Sequence, residues 1–465
     1  MTLDRRLFLI GAAATLLPGP APAQQAAPTP EAAPDGFRIL RPKSLAGDLP
    51  GRLAYGGDET PLVLRIARGE ELKVRLVNGL EQDTSIHWRG VRGPNAMDGT
   101  PLVQKPVAPG ASFDYRFTPP DAGTFIFQPH AETTFAAQAQ LGLGGVLVVE
   151  DPVAQKADHE IIAALADRAA SAGELGPCAD GRAVIMHTNR QMAGDGLMGT
   201  VVTVNGRVAP DSHDFAPRAR VLLRLANLST SRLMAVSFEG VQPNVIAVDG
   251  QSCPVFEPLR NVLPMAPGGR FDVMFDMPEQ DGASARIALL GASPEGGWDG
   301  SLLLLKAQGR PVETRPPVAD PTPNKLLSET IALQKAHRSE LAFDVQYGGE
   351  SAAICSARAP SLWRINGKPG GDSVRLFAVR RGTPVSLGLT NKSQSHIVIR
   401  LHGHVMRQLH LMDDGWDPYW RDAVVVPAGR TVRVAFVADN PGRWRIGGGI
   451  LPQALGGLAG FFEVT

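Results

Sequence analysis

The chain has 465 residues with 46 basic and 46 acidic side chains, so no net field draws it to a polyanion, and nucleic acid is excluded as a charge-driven partner. Glycine (51) and proline (39) are abundant enough to exclude a helical bundle or coiled coil, because both break helices and build turns. Three cysteines are too few for a disulfide framework, while ten histidines leave metal chemistry open.

In chain order, residues 1–23 read as an export leader. Arg5-Arg6 precedes Leu7, Phe8, Leu9 and Ile10, an Ala-rich apolar run follows to Leu17, and Ala21-Pro22-Ala23 offers a small-residue cleavage site. Asp4-Arg5-Arg6-Leu7-Phe8-Leu9 resembles the bacterial twin-arginine leader, although Asp4 and Ile10 depart from its usual Ser/Thr and Lys. That resemblance implies export of an already folded protein to the periplasm; an ordinary secretory signal is the alternative. Residues 24–35 form a low-complexity tether expected to be disordered. No later stretch has the roughly 18 uncharged apolar residues of a membrane span, so no transmembrane segment is expected.

Beyond the tether one pattern occurs three times. Its first element is a period-2 apolar run ending on Asn: Leu72, Val74 and Leu76 before Asn78; Val221, Leu223 and Leu225 before Asn227; Val385, Leu387 and Leu389 before Asn391. The second is an Asp-Gly turn, at Asp98-Gly99, Asp249-Gly250 and Asp414-Gly415. The third is a glycine leading an alternating apolar run: Gly110 before Phe113, Tyr115 and Phe117; Gly268 before Phe271, Val273 and Phe275; Gly429 before Val432, Val434 and Phe436. Period-2 strands with frequent turns predict an all-β chain of Greek-key sandwiches. The expected domains are 36–152, 155–308 and 326–465, with the Pro-rich stretch 309–325 as a semi-rigid extended linker.

Several motifs resemble the multicopper oxidases, of the laccase-like type with three cupredoxin domains. In the first domain they are His87-Trp88-Arg89-Gly90, Met97-Asp98-Gly99, Phe127-Gln128-Pro129-His130 and Gly142-Leu143-Gly144-Gly145. In the second they are Val204-Asn205-Gly206, Val248-Asp249-Gly250 and Arg270-Phe271-Asp272, and in the last Leu401-His402-Gly403-His404, Arg421-Asp422 and Ala438-Asp439-Asn440-Pro441-Gly442-Arg443-Trp444. The resemblance spans nearly all of the chain after the tether. It implies a type 1 copper held by two His, a Cys thiolate and a weak axial Met. It also implies a trinuclear cluster held by four His-x-His pairs between the first and last domains.

Carried over position by position, most of these ligands are missing. The first pair is His87-Trp88-Arg89 and the second Gln128-Pro129-His130. The family's His-Pro-x-His-Leu-His-Gly-His reads Ile397-Val398-Ile399-Arg400-Leu401-His402-Gly403-His404. Its His-Cys-His reads Gly447-Gly448-Gly449, and the last type 1 His and axial Met fall on Gln453 and Leu458. His87, His130 and His402 alone keep cluster positions. Independently of alignment, Cys355 is the last cysteine, so no thiolate exists in the final 110 residues.

The retained histidines admit two readings, a residual copper or zinc site or metal-free core histidines. Arg89 and Arg400 replace imidazoles; they either pair with a carboxylate, Asp98 or Glu132, or line an anion pocket. Asp98 aligns with an acid that delivers protons in active family members, but the triplicate Asp-Gly makes turn chemistry sufficient. Met406, His410 and Met412 either offer a soft copper site or pack the core. One disulfide among Cys178, Cys253 and Cys355 is allowed. The function expected is a non-catalytic periplasmic binding or scaffold protein, similar to the copper-free homologue that supports the septal ring in enteric bacteria, acting on another periplasmic protein or a small ligand. The alternative is a copper-binding oxidoreductase using the three histidines.

Overall fold

Each copy of the repeated pattern folds in the same way. The computed structural model describes residues 31–45, 52–56, 61–130, 138–168, 175–177, 183–185, 199, 201–291, 298–346, 362–410 and 415–465. The leader and most of the tether lie outside these residues, as do Glu132, Met412, Asp414, Cys178 and Cys355.

The Asn-terminated strands are Leu72–Val77, Arg220–Asn227 and Thr383–Asn391, and each pairs antiparallel with the strand of its Gly-led run. The registers correspond: Val74 faces Tyr115, Leu223 faces Val273, and Leu387 faces Val434. Alternate side chains enter one core per repeat because Cβ atoms alternate across a strand. The terminal Asn is buried in all three copies and ties the next turn. Its Nδ2 donates to the Gln82 and Val107 carbonyls at Asn78, to those of Arg232 and Met265 at Asn227, and to those of Ser395 and Val426 at Asn391.

Two sheets face one another in each sandwich. The first pairs the sheet Glu31–Ala32, Arg38–Leu40, Leu72–Val77, Ser112–Phe117 with the sheet Leu62–Ala67, Gly145–Glu150, Gly123–Gln128, His87–Arg89. The second has sheets of seven and five strands and the third of six and five. The fold is all-β and cupredoxin-like. No helix among the described residues is long and apolar enough to cross a membrane.

The first and third sandwiches are clasped together. Asn95 Nδ2 donates to the Arg443 carbonyl at 2.7 Å, Asn440 Nδ2 to the Gly93 carbonyl at 2.9 Å, and Arg92 reaches Asp439 at 3.1 Å. Gly442 makes this approach possible: its φ is +127°, and a Cβ there would lie 2.6 Å from the Cβ of Asn95. Residues 311–324 have no regular structure and run as a strap. Arg220 donates to the Pro316 carbonyl, the Val255 amide to Asp320, and Asn324 to Asp121 and Gln251. Asp121 also holds Arg92 at 2.8 Å, so one buried carboxylate joins the strap to the clasp.

Candidate metal centre between the first and third sandwiches

His87 and Arg89 flank Trp88 on an edge strand, so alternation sends Trp88 into the first core and turns the other two toward the third sandwich. Ile397, Ile399 and Leu401 likewise enter the third core, leaving Arg400 and His402 on the opposite side. His130 follows the strand Gly123–Gln128, which pairs with the His87 strand. The two sandwiches thus bring His87, His130 and His402 into one buried cluster, with one ligand nitrogen from each lying within 4.8 Å of the others. The His87 and His402 rings stack with centroids 4.2 Å apart, and His130 stands edge-on to both at 5.0 Å.

Asp98 orients two of the three rings. His87 Nδ1 lies 2.8 Å from the Asp98 carbonyl oxygen and 3.3 Å from Oδ1, and His402 Nδ1 lies 3.4 Å from Oδ2. Every Asp98 partner atom is an acceptor, so each Nδ1 carries a proton, and in the neutral ring Nε2 then keeps the lone pair. Nε2 of His130 and of His402 is buried without a hydrogen-bond partner among the described residues. Burial pushes the His402 pKa down to about 4, aided by His87, and holds that of His130 well below its ordinary value. Burial alone would raise the Asp98 pKa, but His87 and His402 together hold it below the usual carboxylate range. Neutral imidazoles oriented by an ionised carboxylate are the donor set that copper or zinc requires.

The role of Asp98 corrects the sequence expectation. Asp249-Gly250 is a true hairpin turn, with φ of +49° and +78°, whereas Asp98 is right-handed and ends the short 3-10 helix Asn95–Met97. Its carboxylate is buried on the histidines and Thr100, so turn chemistry does not account for it. The triplicate Asp-Gly masked this difference.

The arginines also depart from expectation. Arg400 pairs with Asp422, not Asp98, and donates to the Pro267 carbonyl. Glu132 lies outside the described residues. Asp422 also takes Arg270 at 2.8 Å, and all three side chains are buried. Asp422 and Arg270 stood in the quoted motifs without a role, because only folding joins the second and third sandwiches. Arg89 forms no hydrogen bond or ion pair with a described residue, and burial followed by the Arg400 charge lowers its pKa to about 9. A third guanidinium, Arg445, was missed; it is 2% exposed, bonds Asp372 at 2.6 Å, and stands beside Gly447. Gln128 turns away to the Leu228 carbonyl at 2.9 Å.

The positions that the resemblance assigns to a type 1 copper are packed. Ile397 and Leu458 are core residues, and Gln453 is buried with Nε2 on the His396 carbonyl. A Cβ on Gly448 would meet the Ala454 amide nitrogen at 2.9 Å, and one on Gly449 would meet Val398 Cγ1 at 2.6 Å. Met406 packs in the third core while His410 is exposed, so the two share no face. Cys253 is buried and free of any disulfide.

Comparisons with known proteins bear on this centre. Two models described as multicopper oxidase match residues 55–154 and 334–464. The multicopper oxidase MmcO of Mycobacterium tuberculosis is 28% identical over 424 residues, covering 86% of this chain and 80% of that protein. Laccase-4 of Trametes villosa is 27% identical over 89% of this chain and 84% of its own length. The crystal structure of a multi-copper oxidase from Pseudomonas thermotolerans superposes with a TM-score of 0.75 at 28% identity, covering 92% of this chain and 98% of that one.

Proposed function

Because the chain belongs to the multicopper oxidase family, we propose that it keeps the family's fold as a binding protein and has given up the family's oxidase reaction. The observation that carries this reading is the closed type 1 position. Electron entry needs a thiolate there, the last 110 residues contain no cysteine, and Gly448 has no room for a side chain. A full copper complement therefore does not fit this chain.

A single metal ion does fit. His87, His130 and His402 would hold copper or zinc, and the unpartnered Nε2 atoms of His130 and His402 support this assignment. Bound there, the ion would supply Lewis acidity at one open position. The chain's own part is to favour, by burial, the neutral form of His130 and His402 and, through Asp98, to orient His87 and His402. The Arg5-Arg6 leader supports a place in the periplasm, reached by the twin-arginine route, where the protein binds another envelope protein or a small ligand.

The test is phenol oxidation by copper-loaded protein, followed together with absorbance in the blue-copper region. Neither turnover nor a blue band is expected. Catalytic turnover abolished by His130→Ala would instead establish an oxidoreductase at the three histidines.

A further inference from the structure

Three guanidinium groups crowd the space beside the histidines, and their hydrogen-bonding capacity is not met. Arg89 Nε, Arg400 Nε and Arg445 Nη1 are each buried without a partner among the described residues. Arg400 pairs with Asp422 and Arg445 with Asp372, whereas Arg89 forms no ion pair with a described residue and feels Asp422 only through space. Leaving one charge uncompensated in the interior costs several kcal/mol. A small anion seated between the guanidinium groups would offset that cost.

One geometric fact locates such an anion. The point that a Cβ on Gly268 would occupy lies 2.6 Å from Arg400 Nη2 and 2.9 Å from Arg89 Nη1, so the two nitrogens are at most 5.5 Å apart. An atom about 2.9 Å from each can accept a hydrogen bond from both.

We propose that Arg89 and Arg400, backed by Arg445, form a buried binding site for a compact inorganic monoanion such as nitrate, bicarbonate or a halide. The short separation of the two nitrogens suits one small anion, and the two forks offer it hydrogen-bond donors. The site stands independently of the metal reading, since none of its donors is a metal ligand.

Metal-free full-length protein, treated with chelator, is titrated with sodium nitrate at constant ionic strength, with sodium gluconate as the bulky-anion control. A saturable rise in thermal midpoint of about 2 °C or more is expected at millimolar nitrate, and none in Arg89→Gln. Crystals soaked in bromide provide a second readout that needs no variant, with anomalous density expected between the Arg89 and Arg400 guanidinium groups. Saturable stabilisation that persists in Arg89→Gln, bromide at surface positions only (an adventitious ion only), or no nitrate effect in the wild type would each overturn the proposal.

Discussion

Asp98 is the residue on which the geometry of the centre turns. Its carboxylate and carbonyl hold the Nδ1 sides of His87 and His402, leaving the Nε2 lone pairs for an ion. Removing such an outer partner of a metal-bound histidine typically weakens binding by about 10–100-fold. Asp98→Asn should therefore weaken zinc binding, measured by calorimetry, by about that factor while the fold persists; unchanged affinity would leave Asp98 a merely structural role. The arginines act in the opposite sense. Asp422 pairs directly with Arg400 and Arg270, whereas Arg89 forms no ion pair with a described residue, so Arg89 is a buried charge that repels a cation. Arg89→His should raise the metal retained after dialysis, whereas Arg400→His, which takes from Asp422 one of its two guanidinium partners, should chiefly lower the thermal midpoint. At this scale the sequence was only partly legible. The retained histidines follow from strand alternation within quoted motifs. Asp98 looked like Asp249 of the true hairpin turn, and the Arg400–Asp422 pair joins segments whose proximity arises only on folding.

At the scale of elements, the strand Gly442–Gly448 and the helix Leu451–Leu455 close the former copper position. Backbone atoms, not movable side-chain ends, lie where a Gly448 side chain would go. Gly448→Cys should therefore destabilise the protein by about 1–3 kcal/mol in denaturant unfolding and produce no blue chromophore with copper; a stable blue variant would show the site only lacks its ligand. The strap and clasp give a pH dependence. Burial opposes ionisation of Asp121, but Arg92, Asn324 and Gln251 prevail and hold its pKa below the ordinary value. A carboxylate depressed in the folded state contributes stability above its unfolded pKa of about 4 and loses it as pH falls through the lower folded value. The thermal midpoint should thus decline below about pH 4, and Asp121→Asn should flatten that decline while lowering the midpoint at neutral pH. The strand pairs themselves were well marked in the sequence, since period-2 runs ending on Asn and led by Gly recur in register in every sandwich.

At the scale of the molecule, the same framework that positions copper in the oxidases here positions three histidines against three arginines. Buried polar contacts, including Thr124 to Asp272 and Gln128 to the Leu228 carbonyl, also join the first sandwich to the second. Composition could not reveal this, because ten histidines suffice for several metal sites until their places in the fold are known. The most direct test is the metal-to-protein ratio of the protein purified from copper-fed cells, compared with His130→Ala. About one ion per chain, lost in the variant, is the predicted result. No ion in the wild type would contradict the three-histidine centre, and several ions per chain would contradict the loss of the oxidase sites.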